Sequence, residues 1–555
     1  MDLKWNVAFF LGLVISPSLS AENLPVSPST QAEIDQQQEA RLKALDDARQ
    51  SLERLVPLPS EVSSAPVDEA NCFEVSQIRV VGNSVLSTTE ITQLVSPFEG
   101  QCLGAQNINQ VLKVLTNAYV SKGYVTTRAV LEPQDLGSGT LTVRVIEGEL
   151  GGVTLNGEDS DAFAMALPSY EGKILNLRDI EQALDQINRL PRNDAKIEML
   201  PGENLGETVV AFTTEDAGWL QAGLSFDNGG QKSTGDSQLR LNLTGSNLLG
   251  LLGLWQVSAS TSSEFSSRFD SQSLRAALSV PYGYFTFGQS YTYSDYKTTV
   301  DSNNFSFIST GNTSNYTSDV NWLFHRNNIS KSSLNLALNY TREKNFIDDV
   351  KLVLGSRNLA NASLALSHAS RLGSGFFTVS PRYVRGVKLF NSETDEGKAT
   401  GSPSAEFNKG ELTLQYTLPL TNSLTFSTTG FGQWATDTLY GSQRLSIGGL
   451  YSVRGFKEQS LSGDAGYYWR NDLTARLTEV PFWGWISTDI ALDTGAIHPD
   501  ASDPNERGHL TGTSVAFSTR NTDLNSSFGV GFPLDHPSWM TVDHYSLYYR
   551  FNVVF

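Results

Sequence analysis

The amino-acid sequence predicts a transmembrane β-barrel of 16 antiparallel strands that follows two small α+β modules and an N-terminal helix. Three observations support this fold class. After Gly218, apolar and polar residues alternate in sixteen short runs, as a lipid-facing wall around a wet channel requires. The final run keeps apolar and aromatic residues on one face up to Phe555. Before Gly218, strand and helix patterns occur in one order and then recur in the same order.

The composition agrees with an exported barrel. Only 18% of the 555 residues are charged, which is low for a soluble protein, and 28 Phe, 19 Tyr and 9 Trp suffice for aromatic girdles. The formal net charge of −19 argues against nucleic acid as a partner, because its phosphates would be repelled. Beyond residue 20, no apolar run approaches the 18 residues of a membrane-spanning helix.

Residues 1–20 predict a secretory signal peptide. Lys4 provides a weakly positive start, and an apolar stretch covers residues 5–15. Ser18 and Ser20 supply small side chains at the offsets that favour cleavage before the next residue. We therefore expect the mature protein to be exported.

Residues 31–55 carry the pattern of a helix with one thin apolar stripe. The stripe consists of Leu42, Leu45, Leu52 and Leu55. It is too narrow for a core helix and indicates a plug inserted into a polar channel, with a solvated spacer helix as the alternative. Residues 56–71 are rich in Pro and Ser and predict an extended linker, which would let the helix leave the channel.

The chain has two cysteines, Cys72 and Cys102. In an exported protein, one pair at this separation is most simply a disulfide. A redox or metal site is the alternative, but neither a CxxC motif nor a nearby histidine supports it.

Residues 72–150 predict the first α+β module, in the order strand, helix, helix, strand, strand. Ser87 and Glu90 have the spacing of a capping box at the start of its first helix. Residues 151–216 repeat this order, with Pro191 ending the main helix.

Motifs in both modules resemble the POTRA domains of TpsB proteins, the ShlB/FhaC/HecB-like outer-membrane transporters of two-partner secretion. The first module carries them at residues 122–128 and 134–136, and the second carries them at 175–184, 188–191 and 201–202. The resemblance implies two POTRA domains, which is the number that TpsB proteins have.

Residues 217–555 predict the barrel itself. Its sixteen runs begin near residues 218, 236, 253, 269, 284, 314, 331, 354, 375, 404, 423, 465, 484, 511, 525 and 545. The polar faces of its runs could equally form the outside of a soluble β-sandwich, so alternation alone does not decide. The last run decides, because its face resembles the C-terminal signal by which outer-membrane barrels are assembled. The residues of this signal are Tyr549, Phe551, Val553 and Phe555.

Residues 437–464 interrupt the alternation and are too rich in Gly to form one more wall strand. Gly448 and Gly449 permit positive φ and predict a sharp bend. Arg454 follows on a turn, and its planar guanidinium suits bidentate pairing with a carboxylate, for which Asp493 is the candidate. In a wet lumen we expect this pair to be only partly desolvated.

Two motifs of this region also resemble the TpsB family. One resembles the lumen-inserted sixth extracellular loop, and its residues are Val453, Arg454, Gly455 and Phe456. The other, at residues 492–495, resembles the barrel-wall motif that holds this loop and includes Asp493 and Gly495.

No pattern for catalysis, a metal or a cofactor is found in the sequence. The six histidines lack ligand spacing, and neither a nucleophile elbow nor a phosphate-binding loop is present. The neighbouring acids Asp348 and Asp349 are expected to be solvated loop charge. We therefore expect a protein that is not an enzyme.

The TpsB resemblance covers residues 72–555 and implies a translocator in the bacterial outer membrane, with its POTRA domains in the periplasm. Those domains would recognise an unfolded TpsA-type exoprotein, which then crosses the barrel lumen to the cell surface. The barrel motifs look closest to haemolysin-type and contact-inhibition transporters, so the partner could be a haemolysin, an adhesin or a contact-dependent growth-inhibition toxin.

Further expected partners are outer-membrane lipid and, during biogenesis, the barrel-assembly machinery, and the protein is expected to be a monomer. Two other functions remain open. A barrel-assembly factor shares POTRA domains and the Arg-Gly-Phe loop, although it usually differs in POTRA number and lacks a plug helix. A passive porin would not need the two POTRA domains.

Overall fold

The computed structural model describes residues 28–53, 66–67, 69–191, 193–215, 218–301, 305–353, 355–499 and 507–555. The predicted signal peptide and most of the predicted linker lie outside these residues. The described α-helices are α1 Pro28–Glu53, α2 Thr88–Val95, α3 Ala105–Ser121, α4 Asp161–Ala166 and α5 Leu177–Ile187. None of these helices is both long enough and apolar enough to cross a membrane.

The first module is a small sheet covered by α2 and α3. Its strands are β1 Phe73–Val75, β2 Gln77–Val81, β3 Gln101–Leu103, β4 Arg128–Leu131 and β5 Thr140–Ile146. The sheet order is β2-β5-β4, with β2 and β5 parallel. Ser87 and Glu90 form a capping box that begins α2, and the apolar core includes Leu115 and Leu141. Cys72 and Cys102 form a disulfide beside the β1–β3 pair.

The second module has a four-stranded sheet in the order β7-β6-β9-β8. Its strands are β6 Glu149–Leu155, β7 Glu158–Asp159, β8 Lys196–Pro201 and β9 Glu207–Thr213. Helix α5 packs its apolar face, including Ile180 and Ile187, into a core that contains Phe212. The repeated order implies two helices, but the sequence locates only this one. The additional α4 has six residues, which are too few to produce a helical periodicity.

The rest of the described chain is a barrel and its connecting loops. In chain order its strands are β10 Leu220–Asp227, β11 Gln238–Ser246, β12 Leu254–Ser262, β13 Asp270–Tyr282, β14 Phe285–Asp301, β15 Ser306–Arg326, β16 Ser330–Ile347, β17 Val350–Lys351, β18 Arg357–Leu372, β19 Gly375–Gly386, β20 Asn408–Pro419, β21 Leu424–Ala435, β22 Leu445–Ile447, β23 Leu461–Gly463, β24 Gly466–Val480, β25 Gly484–Ile497, β26 Gly508–Arg520, β27 Leu524–Asp535 and β28 Ser546–Val554.

Sixteen of these strands form the wall, each antiparallel to its neighbours, and β10 pairs with β28 to close it. Among the described residues, strand β17 pairs with the end of β16, and β22 pairs with β23 inside the barrel. The predicted fold class, a 16-stranded barrel behind two α+β modules, is confirmed. One start differs clearly: β15 begins at Ser306 rather than near residue 314, because a polar stretch stays paired with β14 beyond the end of the apolar alternation.

The second module is docked on one end of the barrel, which we call the module end. Leu252 lies in the turn between β11 and β12, yet it is buried in the apolar core of the second module. Its φ is +49°, a conformation that a bulky residue rarely adopts. Arg189 of the module donates to the Leu252 carbonyl at 2.8 Å. The turn and the module therefore share one core.

Polar contacts hold α5 on the module end as well. The Tyr284 hydroxyl, in the turn before β14, donates to Asp179 at 2.5 Å. Arg326, at the end of β15, contacts Glu181 at 3.2 Å and Asp185 at 2.7 Å. The Arg326 side chain is only 3% exposed, so these ion pairs are buried in the interface between the second module and the barrel.

Candidate functional site

Two segments of the chain occupy the barrel lumen. One is α1, which contacts the inner wall at β14, β15, β18 and β19. The other is the lumen loop, residues 437–464, which connects β21 to β24 and carries the short hairpin β22–β23. A barrel of sixteen strands is too wide for wall side chains to fill. Helix α1 and the lumen loop occupy the space that the wall side chains leave.

The lumen loop packs against the wall through an apolar cluster. Its members are Phe431, Leu445, Ile447, Val453, Phe456, Leu461, Tyr468, Ile497, Leu510 and Met540. Val453 and Phe456, which flank Arg454 and Gly455, are fully buried in this cluster. This part of the channel is a packed core, so the loop is fixed by burial of apolar surface as well as by polar contacts.

Arg454 forms a bidentate ion pair with Asp493 of β25. Its Nε lies 2.6 Å from Oδ2 and its Nη2 lies 2.6 Å from Oδ1, and the Arg454 backbone N–H also donates to Oδ2 at 3.1 Å. Nη1 donates to Asp472 of β24 at 2.5 Å. The two residues that sequence reasoning pairs are therefore in contact, with Asp472 as a second carboxylate that it misses.

The expectation that this pair is only partly desolvated is wrong. The Asp493 side chain is 0% exposed and that of Arg454 is 8% exposed. Val453 and Phe456 of the apolar cluster flank Arg454 and Gly455, and the alternating pattern of the wall does not reveal this packing. Removing one partner would leave an uncompensated buried charge.

Three inward-facing wall glycines make room for the turn that carries Arg454. A Cβ added at Gly512 would lie 1.9 Å from the Arg454 carbonyl oxygen, and one added at Gly531 would lie 2.8 Å from the Gly455 nitrogen. One at Gly495 would lie 3.2 Å from Val453. Gly455 itself has a φ of +104° and lies against the backbone of β27. Glycine inside a strand often marks such a close backbone approach.

Hydroxyl groups of β28 bind the same turn. The Gly455 N–H donates to the Tyr548 hydroxyl at 3.0 Å, and Ser546 donates to the Gly455 carbonyl at 3.0 Å. Sequence reasoning predicts Gly495 in this role, but it misses Gly512, Gly531, Ser546 and Tyr548. The only signal that could have found them is glycine or hydroxyl at inward positions of the last strands.

Helix α1 makes mainly polar contacts with the loop and the wall. Gln38 donates to the Ser446 carbonyl of the loop at 2.9 Å. Arg41 donates to Tyr468 at 3.1 Å and lies 3.6 Å above the Phe431 ring. Glu39 pairs with Arg550 of β28 at 2.9 Å.

The apolar stripe of α1 differs in part from the predicted one. Leu45 and Leu52 are buried, Leu42 is half-buried, and Leu55 lies outside the described residues. Ile34 and the polar Gln38 complete the buried face. The stripe is thin, and among the described residues Leu52 and the half-buried Ala48 form an apolar cluster with Ala369 and Phe376 of the wall.

Two wall cations bind the C-terminal end of α1, at the module end of the barrel. Lys331 of β16 donates to the Ser51 carbonyl at 3.0 Å, and Arg371 of β18 donates to the Leu52 carbonyl at 2.9 Å. The last carbonyls of a helix lack partners within the helix and attract cations.

The predicted C-terminal signal lies on the lipid-facing side of β28. Phe551 and Phe555 are exposed, and Tyr549 and Val553 are half-exposed. The Tyr549 ring packs on Phe226 of β10, 5.6 Å away between ring centroids. These residues therefore border the seam where the last strand meets the first.

Comparison with known families agrees with this architecture. The haemolysin secretion/activation protein ShlB/FhaC/HecB family matches residues 206–519. The ShlB-type POTRA domain matches residues 73–148, and a further POTRA domain family matches residues 149–201. The two modules are accordingly called POTRA 1 and POTRA 2 below.

Individual relatives match nearly the whole chain. The outer membrane transporter CdiB of Escherichia coli is 38% identical over 543 residues, which cover 97% of this chain and 92% of that protein. The hemolysin transporter protein ShlB of Serratia marcescens is 29% identical over 550 residues, which cover 94% of this chain and 95% of ShlB. The solved structure of CdiB from Escherichia coli has a TM-score of 0.91 at 37% identity and covers 95% of this chain and 99% of its own. The resemblance read from the motifs is confirmed: the chain belongs to the ShlB/FhaC/HecB family of haemolysin secretion/activation proteins.

Proposed function

We propose that this protein is an outer-membrane transporter that exports one large unfolded partner protein through its lumen to the cell surface, with POTRA 1 and POTRA 2 in the periplasm. The observation that carries the proposal is the lumen itself. A wide polar channel is filled by one firmly packed loop and one less firmly packed helix, and POTRA 2 is docked on one end of the barrel.

Partner capture belongs to the POTRA domains. Strand β8 is an edge of the POTRA 2 sheet, and among the described residues it pairs only with β9. Met199 and Leu200 on this strand are 44% and 40% exposed. An unfolded chain can add a strand to such an edge through main-chain hydrogen bonds, which tolerate varied sequence.

The channel opens when α1, here called the plug helix, leaves the lumen. The lumen loop buries an ion pair and joins a cluster of ten buried apolar residues, whereas the described part of the plug helix buries the apolar side chains of Ile34, Leu45 and Leu52. The helix therefore costs less to remove than the loop. During export the plug helix leaves, and Arg454 with Asp493 keeps the loop in place.

The partner is a secreted exoprotein of the TpsA type. Identity is higher to CdiB, at 38%, than to the haemolysin transporter ShlB, at 29%, which favours a cargo like that of CdiB among the haemolysin, adhesin and toxin classes. Outer-membrane lipid and the barrel-assembly machinery complete the set of partners. The protein acts as a monomer, without catalysis or cofactor.

A surface-proteome comparison tests this function. Cells with and without the protein are compared, and a strain complemented with the wild-type gene serves as control. We expect one very large protein to disappear from the surface and the medium and to return on complementation. Depletion of many barrels would instead indicate an assembly factor, and an unchanged surface would indicate a passive pore.

A further inference from the structure

Lys331 lies where the barrel wall, the plug helix and POTRA 2 meet. It is the second residue of β16, and its side chain points inward at the module end. Its ammonium donates to the Ser51 carbonyl at 3.0 Å and to the Ser51 hydroxyl at 2.6 Å, both on the plug helix. The same ammonium lies 2.6 Å from Asp185 of α5 in POTRA 2. One cation thus contacts two separate parts of the chain.

The surroundings make this contact a buried one. The Lys331 side chain is 9% exposed, and Asp185 is 23% exposed. Burial acts to raise the pKa of Asp185, but the positive charges of Arg326 and Lys331 outweigh it and hold that pKa below its ordinary value. Asp185 is therefore a carboxylate fixed between two cations, and Glu181 is the other anion that faces Arg326.

Within the described residues, the last turn of the plug helix supplies no cation of its own. Its last turn contains no basic residue, although the carbonyls of that turn carry the negative end of the helix dipole. Lys331 and Arg371 supply the positive charge from the wall. Of these two, Lys331 also contacts POTRA 2.

We propose that Lys331 is a positioning residue through which POTRA 2 holds the plug helix in the lumen. The inference rests on the proposed role of α1 as a removable plug. A lysine ammonium is a compact charge on a flexible stem, and it must be oriented to hold one direction. Asp185 provides that orientation. It accepts one hydrogen bond from the ammonium and so holds it where its other hydrogen bonds reach Ser51.

The consequence is a link between partner capture and opening. When a captured chain moves α5, Asp185 withdraws from Lys331, and the end of the plug helix loses its best-placed cation. The coupling is reciprocal by thermodynamic necessity, so departure of the plug helix also weakens the docking of POTRA 2. Among the described residues, the side-chain hydrogen bonds of Asp185 come from Arg326 and Lys331.

Conductance of the full-length protein in planar lipid bilayers tests the proposal. The variants are Lys331→Met, Asp185→Asn and the double variant, with deletion of residues 28–53 as the open reference. Glu181→Gln is the matched control, because Glu181 is a buried carboxylate on the same helix that pairs with Arg326 but not with Lys331. Asp185→Glu keeps the charge. Heat-modifiable migration on gels verifies that each barrel is folded.

We expect Lys331→Met and Asp185→Asn each to raise the ratio of open to closed channel about tenfold, within the usual range for coupled sites. The double variant should open no further than the stronger single variant, and Glu181→Gln and Asp185→Glu should stay within about twofold of wild type.

Three outcomes would overturn the proposal. If Asp185→Asn stays closed while Lys331→Met opens, Lys331 acts on the plug helix alone. If Glu181→Gln opens as much as Asp185→Asn, general docking of POTRA 2 is responsible rather than Lys331. If deletion of residues 28–53 leaves conductance unchanged, the plug role itself fails, which separates that failure from a failure of the coupling.

Discussion

At the scale of single residues, the Arg454–Asp493 pair is notable because both charges are buried inside the barrel, next to a packed apolar cluster. Three hydrogen bonds from Arg454 reach one carboxylate that has no exposed surface. A buried ion pair adds little net stability to the fold. Removing one partner is nevertheless strongly destabilising, because the other charge is left buried without a partner.

Asp493→Asn should therefore release the lumen loop. Loss of one partner of a buried ion pair costs about 3–5 kcal/mol, enough to reduce export at least tenfold. The barrel strands keep their own pairing, so heat-modifiable barrel should remain in the membrane. Secretion of the partner protein is measured against barrel level. Asp472→Asn is the control with the smaller expected effect, since Asp472 is 25% exposed and accepts one bond from Arg454. Normal export by Asp493→Asn would contradict the role of the pair.

Gly512→Ala should have a similar effect without any change of charge. The added methyl group would lie 1.9 Å from the Arg454 carbonyl oxygen, so the turn must move away from β26. We expect export to fall while the wall stays folded. Gly432→Ala is the matched control, because its added methyl group would meet only the Gly466 oxygen at 3.9 Å. Equal export by both variants would show that the close approach at Gly512 is unimportant.

The sequence predicts the Arg454–Asp493 ion pair better than the close approach of the loop backbone to Gly512 and Gly531. Arg454 and Asp493 lie in motifs that are long enough to recognise. Gly512 and Gly531 are single glycines in β-strands, and a single glycine does not tell which backbone will approach it. The burial of the pair was missed because it depends on how the loop packs, which is a long-range property.

At the scale of elements, the plug helix and the strands were predictable for different reasons. Period-two alternation gives sixteen wall strands, and most of their starts lie close to the predicted positions. The plug helix shows its 3.6 period, but its buried face shifts to include Ile34 and Gln38. That face is set by partners in the lumen loop, which alternation within the helix cannot indicate.

Leu52→Ala should loosen the plug helix. Leu52 is fully buried against Ala369 and Phe376, and truncation of a buried leucine costs about 2–5 kcal/mol. We expect the open fraction in bilayer recordings to rise at least tenfold. Lys43→Ala, on an exposed position of the same helix, should leave the recordings unchanged. A closed Leu52→Ala channel would mean that polar contacts alone hold the helix.

POTRA 1 should lose stability at low pH through Glu147. Burial acts to raise the pKa of Glu147, but hydrogen bonds from Ser84 and Tyr119 lower it below its ordinary value. A carboxyl with a lowered pKa contributes stability that is complete above its unfolded pKa of about 4.3. This contribution is lost as pH falls through the folded pKa.

Glu147→Gln should therefore destabilise POTRA 1 at pH 7 and differ little from wild type once the wild-type carboxyl is protonated. Hydrogen exchange of α3 amides in the full-length protein, corrected for the intrinsic pH dependence, measures this difference. Glu132→Gln is the control, since Glu132 is 53% exposed in its pair with Arg144. A difference that stays constant across the pH range would contradict this assignment.

At the scale of the whole molecule, the sequence predicts the individual domains better than the interfaces between them. The fold class and the family were recoverable from local patterns that recur along the chain. The docking of POTRA 2 was not, because its contacts join residues far apart in sequence, such as Arg326 with Asp185. The three-way contact of Lys331 is invisible in sequence for the same reason.

The shared core around Leu252 has a consequence for the order of biogenesis. The core of POTRA 2 includes a side chain from the first hairpin of the barrel. This hairpin follows POTRA 2 in the chain and belongs to the membrane-inserted part of the protein. Until that hairpin forms, the core of POTRA 2 lacks the Leu252 side chain, and apolar surface that is buried in the docked protein is exposed there. Packing of the POTRA 2 core is therefore complete only when the first hairpin of the barrel is in place, which ties the last step in the folding of this domain to assembly of the barrel.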